Sequence, residues 1–479
     1  MAITRIILWL GNTCVLCAVL LALTAVSALV MLEITPATQL AAIAAATGIV
    51  GIILIATTYN TPARETNADA LLFLLLFWMI VPVIAAIPYL VLGASDSVIS
   101  AYFEAVSAFT TTGASTLNAD DLPRSLLLWR ALLQGFGGVC VATFAVVILA
   151  ALNLSGTGIH RSLLFTLKKG ELFERLIGIG RVIAGIYIFL AAVCFIAMDI
   201  TGTPTFEALT LSLSAMSTGG LTPRSGPLAA YVGPVSATIL GIFCLLAAMN
   251  IAIIWDVLRL RRLRNFVTLL KNYEHRGLFV ITTLLLLFGI LYVGAGHAFT
   301  VIIESVYFVS TAGFDYNVIG LEMLPPVILI AVALIGGSAL STAGGVKIIR
   351  ILLLFRHLGT DMSRLTHPSR VVPVSFKGQH IPDRAFLSIW MYFFGYTLFF
   401  AFGILMLGAA GLVFEDAVVV GAASLSNMGP LVPYVLPESG FVYADFTNLQ
   451  MFVSALLMLI GRVEVLAVLI LFTPSFWRR

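Results

Sequence analysis

Four short clusters along the chain carry residue types that could take the water off a cation. They are FTTTGAS from Phe109 to Ser115, MSTGGLT from Met216 to Thr222, VSTAGFD from Val309 to Asp315 and LSNMGPL from Leu425 to Leu431. Aligned on Gly113, Gly219, Gly313 and Gly429, the candidate ion-facing residues are Thr111 and Thr112, Ser217 and Thr218, Thr311 and Ala312, and Asn427 and Met428, each pair followed by its glycine. A glycine accepts backbone angles closed to other residues, so an extended segment can turn its carbonyls toward one axis. Four such segments around an axis make a ring of oxygens that can replace the hydration shell of a cation. One S-T-G cluster is an ordinary turn. Four in register, each after a half-length apolar piece, argue for an ion pathway.

A second stretch, AVALIGGSALSTAGGVKIIR from Ala331 to Arg350, breaks an apolar run in its middle. Irregular backbone at membrane depth is tolerated only where it packs in protein or lines a water-filled cavity. The stretch is therefore expected to face the pathway below the clusters. Gly336, Gly337, Gly344 and Gly345 would permit a hinge, while Ser338, Ser341 and Thr342 would offer hydroxyls to an ion. A close contact between small-residue helices is the plainer alternative. Arg462 lies about 15 Å, at helical rise, from the inner end of the last apolar run. A guanidinium there costs at least roughly 3 kcal/mol unless it meets water or a partner. Glu464, two positions on, projects from another face. Arg462 is expected to point into the pathway as an electrostatic barrier, an ion pair with a carboxylate on another span being the alternative. Lys347 reads as an ordinary interfacial lysine. Glu104, Glu207, Glu304 and Glu415 precede the aligned glycines by 9, 12, 9 and 14 residues, and are expected to favour half-helix N-termini through the helix dipole.

These residues need a membrane scaffold to position them. The 479 residues are 60% hydrophobic and 10% charged, with mean hydropathy +1.08, against about a quarter charged in soluble domains. Spanning windows are expected near 6–31, 40–58, 70–92, 127–152, 179–200, 234–256, 277–295, 324–355, 386–412 and 449–472, the first being a retained span and not a cleaved signal. Between them, pieces at 98–109, 205–216, 300–309 and 414–425 have the length of re-entrant half-helices. Placing the N-terminus inside puts 22 of the 26 Lys and Arg residues in inner loops or at the termini. The glycine intervals of 106, 94 and 116 residues each enclose one basic loop and two spans. The expected organisation is an all-α polytopic membrane protein. Two extra N-terminal helices (1–60) precede four span–pore-helix–span repeats at 61–155, 156–262, 263–365 and 366–479, arranged around a pseudo-fourfold pore.

Other chemistries find little support. Cys14, Cys17, Cys140, Cys194 and Cys244 all sit in apolar runs, without a disulfide framework or a zinc ligand set. His160, His275, His297, His357, His367 and His380 fall in loops or at span ends, and no GxGD, HExxH or GxSG signature marks an intramembrane enzyme. The net charge of +3 reads as loop retention and not as a nucleic-acid surface. Outer-loop acids, among them Asp120, Asp121, Asp315 and Glu322, would concentrate cations at the mouth.

The clusters TTTGAS, STGGLT, STAGF and SNMGP, with GGSALSTAGGVKIIR and the terminal GRVEVLAVLILFTPSFWR, resemble the membrane subunit of the Trk/Ktr/HKT potassium transporter superfamily, most closely its bacterial TrkH branch. The resemblance covers the whole chain, including the two extra helices. It implies K⁺ as the transported ion with no organic cofactor, a filter of main-chain oxygens, and an intramembrane gating loop with a basic residue beside it. It also implies a homodimer in the cytoplasmic (inner) membrane with both termini cytoplasmic. A cytosolic ring of TrkA-like nucleotide-binding subunits would dock on the inner loops around Arg259 to Arg276 and Lys347 to Arg384. Relatives preferring Na⁺ carry serine at the first filter glycine, so Gly113 resembles the K⁺-selective type. A proton- or sodium-coupled symporter with the same filter is the alternative, marked by paired intramembrane carboxylates, of which Glu464 is the one clear candidate.

Overall fold

In lipid, an apolar run must satisfy its backbone internally, and this chain does so with helices. A computed structural model describes residues 3–59, 67–151, 172–260, 272–367, 375–376, 379–380, 383–436 and 442–463. Seven helices among them are long and apolar enough to cross a bilayer: α1 (Ile3–Val30), α2 (Ile34–Thr58), α3 (Asn67–Val91), α5 (Arg124–Ala151), α6 (Leu172–Ile200), α10 (Tyr273–Val293) and α14 (Asp383–Ala409). The half-helices are α4 (Val98–Phe109), α7 (Thr205–Ser217), α11 (Ala298–Val309) and α15 (Phe414–Leu425), within two residues of the expected bounds. A two-residue-per-strand hairpin, Ser375–Phe376 with Gln379–His380, is the described exception to an all-helical chain.

α1 and α2 form a close hairpin because Gly11 and Gly51 face each other; a Cβ on Gly11 would lie 3.0 Å from Gly51 O. Leu16, Val19, Leu23, Val26 and Ile52 on this pair are exposed, as expected of side chains whose solvent is acyl chain. Behind α4, Phe77, Trp78 and Phe136 pack around Phe109, with the Trp78 and Phe109 rings 4.7 Å apart and Phe144 behind Phe77. This wedge locks α3 and α5 to the first half-helix.

Three expected spans depart from simple rods. The window at 324–355 is interrupted as anticipated: α12 (Pro326–Ile335) ends at Gly336, and α13 (Ile348–Thr366) begins after a non-helical stretch. The last window is described only as α17 (Asn448–Val463), so Glu464 and the terminal motif beyond Val463 lie outside the described residues. The window at 234–256 is not one straight helix. α8 (Pro234–Ala248) and α9 (Ile251–Leu260) meet at 102°. Asn250 causes the break: its side-chain oxygen caps Ala252 N at 3.1 Å, while its own N–H donates to His275 Nε2 at 3.2 Å.

Candidate ion pathway

The four half-helices end in the same way. Thr111, Thr218, Thr311 and Asn427 adopt left-handed φ of 52°, 53°, 63° and 51°. Each donates its N–H to the carbonyl three residues back, at 2.9–3.2 Å. Left-handed geometry costs about 1–2 kcal/mol at a non-glycine residue, so four equivalent instances mark a shared design and not noise. Two residues after each stands a glycine: Gly113, Gly220, Gly313 and Gly429. The second segment therefore runs one residue later than the glycine alignment expected. Thr218, Gly219 and Gly220 take the places assigned to Ser217, Thr218 and Gly219, and Ser217 instead closes α7, its hydroxyl donating to Leu213 O at 2.8 Å. Gly220, with φ of 77°, shares the left-handed geometry of Gly113 at 84° and Gly313 at 61°.

The segments touch in cyclic order. A Cβ on Gly113 would strike Gly219 O, one on Gly220 would strike Ala312 O, one on Gly313 would meet Met428 and Pro430, and one on Gly429 would meet Gly113 and Ala114. Gly429 N closes the ring onto Thr112 O at 2.6 Å. Above it lies a cavity of about 360 Å³ lined by all four glycines together with Asp315 and Glu322. Burial, with the Glu322 charge beside it, raises Asp315, in the loop after the third half-helix, to a pKa of about 6.

Beneath the ring sits the stretch 336–347. Its two ends are joined, Val346 N donating to Leu334 O and Ile348 N to Gly337 O, so the intervening residues bulge sideways as a loop. Gly336 and Gly345 make this possible with φ of 71° and 76° and backbones too close for a side chain. The loop reaches three of the four segments directly: Gly344 N donates to Thr311 Oγ1 at 3.0 Å, Thr342 Oγ1 to Met216 O at 3.4 Å, and Gly344 packs on Ser426 O. Arg462 supplies the fourth link. Its Nη1 donates to Thr342 O at 2.6 Å, its Nε to Thr110 O, and its Nη2 to Thr111 O and Thr111 Oγ1. Arg462 is buried, and among the described residues no carboxylate pairs with it.

Ser341 and Thr342 do not present free hydroxyls as expected. Ser341 Oγ donates to Ser338 O at 2.6 Å and Thr342 Oγ1 to Met216 O and Ala247 O, because a buried hydroxyl takes the nearest acceptor. Ser338 Oγ is buried without a hydrogen-bond partner.

A family model described as "Cation transport protein", TrkH, matches residues 44–309 and 293–479. The chain is 32% identical over 427 residues to the Trk system potassium uptake protein TrkH of Salmonella typhimurium, covering 86% of each, and 29% identical over 438 residues to TrkG of Escherichia coli, covering 88% of each. The crystal structure of the potassium transporter TrkH from Vibrio parahaemolyticus superposes with a TM-score of 0.89 at 28% identity, over 100% of both chains. This chain belongs to the TrkH family. It is a multi-pass membrane protein of a transporter family, not an enzyme.

Several residues of this TrkH-family chain take roles that sequence reasoning missed. Lys347 is no ordinary interfacial lysine: with φ of 79°, it turns its ammonium back onto Ser341 O and Ala343 O inside the loop. Glu104 and Glu304 do not serve helix N-termini. Each is the seventh residue of its half-helix, buried, and grips the chain beyond the glycine cluster. Glu104 accepts from Thr116 N, Thr116 Oγ1 and Ser115 Oγ; Glu304 accepts from Tyr316 N and Asn317 N at 3.2 Å and Leu321 N at 2.8 Å. The shared 12-residue offset to Thr116 and Tyr316 was the sequence signal. Glu207 instead pairs with Arg224, whose side chain is 48% exposed. Glu304→Ala should therefore destabilise the protein by about 3 kcal/mol, since three buried backbone donors are orphaned, and Glu207→Ala by clearly less. Thermal unfolding in detergent checks the order.

Proposed function

We propose that this chain takes up potassium across the cytoplasmic membrane through a central pathway bounded by Thr111–Gly113, Thr218–Gly220, Thr311–Gly313 and Asn427–Gly429. The loop 336–347 is its gate, and Arg462 is the latch that holds the gate against the first segment. The observation that carries this reading is the cyclic contact of four segments, each with a left-handed residue two before a glycine, under a cavity that all four glycines line. Conversion of a closed to an open state needs the loop to leave its place; Thr110 O and Thr111 O, now held by a tethered cation, are then released.

The chain works as a homodimer with both termini cytoplasmic, and a cytosolic ring of nucleotide-binding subunits acts on the basic inner loops, which connect directly to α10 and α13. The test is ⁸⁶Rb⁺ flux into liposomes holding the purified protein. Flux without a proton or sodium gradient, competed by K⁺ and poorly by Na⁺, is expected. Obligatory coupling to either gradient would replace this reading with a symporter.

Asp315 makes the uptake sensitive to external acid. Its carboxylate is charged above a pKa of about 6 and neutral below it, so the cavity loses a negative charge as pH falls through that value. Apparent K⁺ affinity should drop severalfold between external pH 7.5 and 5.5, and Asp315→Asn should flatten the profile at the low-affinity level.

A further inference from the structure

A second cavity, of about 650 Å³, opens between α1, α3, α5, α6 and the tip of α7. Its wall is apolar, with Phe77, Val139, Phe144, Ala184 and Met216 among its residues. Leu16 and Ile188 at its edge are exposed, so it faces the acyl chains and not water. One end carries Trp9 and Arg181, and the other reaches Met216 and Ser217 at the tip of a re-entrant helix. Arg181 lies nineteen residues from Ile200, about 28 Å of helix, close to the hydrocarbon thickness of about 30 Å. With Ile200 at one interface, Arg181 sits at headgroup level on the opposite, basic-loop side. It is exposed and makes no ion pair among the described residues.

We propose that this cavity binds one acyl chain of an anionic phospholipid whose phosphate is held by Arg181. The volume is that of a small-molecule site, its lining on α6 runs from Leu176 to Ala191, about 22 Å of helix, and Arg181, without an ion-pair partner among the described residues, stands where the headgroup must lie. An apolar cavity of this kind does not hold water, so a lipid tail is the occupant the surroundings supply. The seat has a consequence for the loop. Met216 lines the cavity and its carbonyl accepts from Thr342; Tyr187, also in the wall, lies beside Thr342. A seated chain thus presses on the elements that hold Thr342. The binding claim stands whether or not the loop is a gate.

The test uses the full-length protein and native mass spectrometry with phosphatidylglycerol or phosphatidylcholine of identical chains. At least tenfold tighter binding of phosphatidylglycerol is expected, with the preference lost in Arg181→Gln. Filling the cavity with Ala184→Trp should weaken both lipids at least tenfold. Because that variant fills a packed site, a milder measurement accompanies it: chain-brominated phosphatidylglycerol should quench tryptophan emission, and Trp9→Phe should remove part of the quenching. Equal binding of the two lipids, unaltered binding in Ala184→Trp, or quenching indifferent to Trp9→Phe would each overturn the proposal. A changed oligomeric state in Ala184→Trp with lipid binding intact would assign the face to a second copy of the chain, and would overturn it as well.

Discussion

Gly113→Ser should abolish the preference for potassium over sodium and lower ⁸⁶Rb⁺ flux at least about tenfold. Gly113 has φ of 84°, and any Cβ there strikes Gly219 O of the neighbouring segment. The left-handed backbone alone costs about 1–2 kcal/mol for a residue with a side chain, and about 1.4 kcal/mol is already a factor of ten. The collision adds to this, so the first two segments must separate. Oxygens set for a larger dehydrated ion then lose their spacing, while a serine hydroxyl offers a new ligand to a smaller one. Paired K⁺ and Na⁺ competition of rubidium flux, run on variant protein that stays folded and monodisperse in detergent, decides the matter. An unaltered preference would remove Gly113 from the filter.

Arg462→Gln should raise rubidium leak through the isolated chain by about tenfold. The guanidinium ties Thr342 of the loop to Thr110 and Thr111 of the first segment, and these are hydrogen bonds to a charged donor in a buried place. Such bonds contribute about 1.5–3 kcal/mol each, and losing one of them from the closed state shifts a two-state equilibrium by a factor of ten or more. Arg462→Lys keeps the charge but not the fork that reaches three carbonyls, and should fall between the wild type and the glutamine variant. The readout is efflux from loaded liposomes that hold this chain alone. A fall in leak would mean that Arg462 supports the open pathway instead of the closed one.

The half-helices were legible because half-length apolar pieces bounded by polar clusters are a feature of composition and length. The family was legible because the clusters recur. The second register was not fixed, since MSTGG offers two glycines, each with a polar residue two before it; the left-handed φ of Thr218, shared with Thr111, Thr311 and Asn427, selects Gly220. The bend at Asn250 was hidden because one amide in an apolar run carries little weight until a histidine from another helix binds its backbone. The roles of Glu104, Glu304 and Lys347 depend on contacts with chain 11 to 17 residues later or 4 to 6 earlier, at angles that periodicity does not encode. Arg462 was legible as an oddity by its depth alone, while its partners were not.

The broken lower end of α8 has one further consequence. Ala247 O and Ala248 O receive donors from Thr342 and Ser338, and Ile251 N finds Leu340 O. If the loop swings away, these groups are stranded together inside a membrane-embedded chain, and something must replace the lost bonds. Only a column of solvent following the retreating backbone can do so. Wetting of the interior and release of the barrier are then a single event, and osmolytes that withdraw water would hold the passage shut.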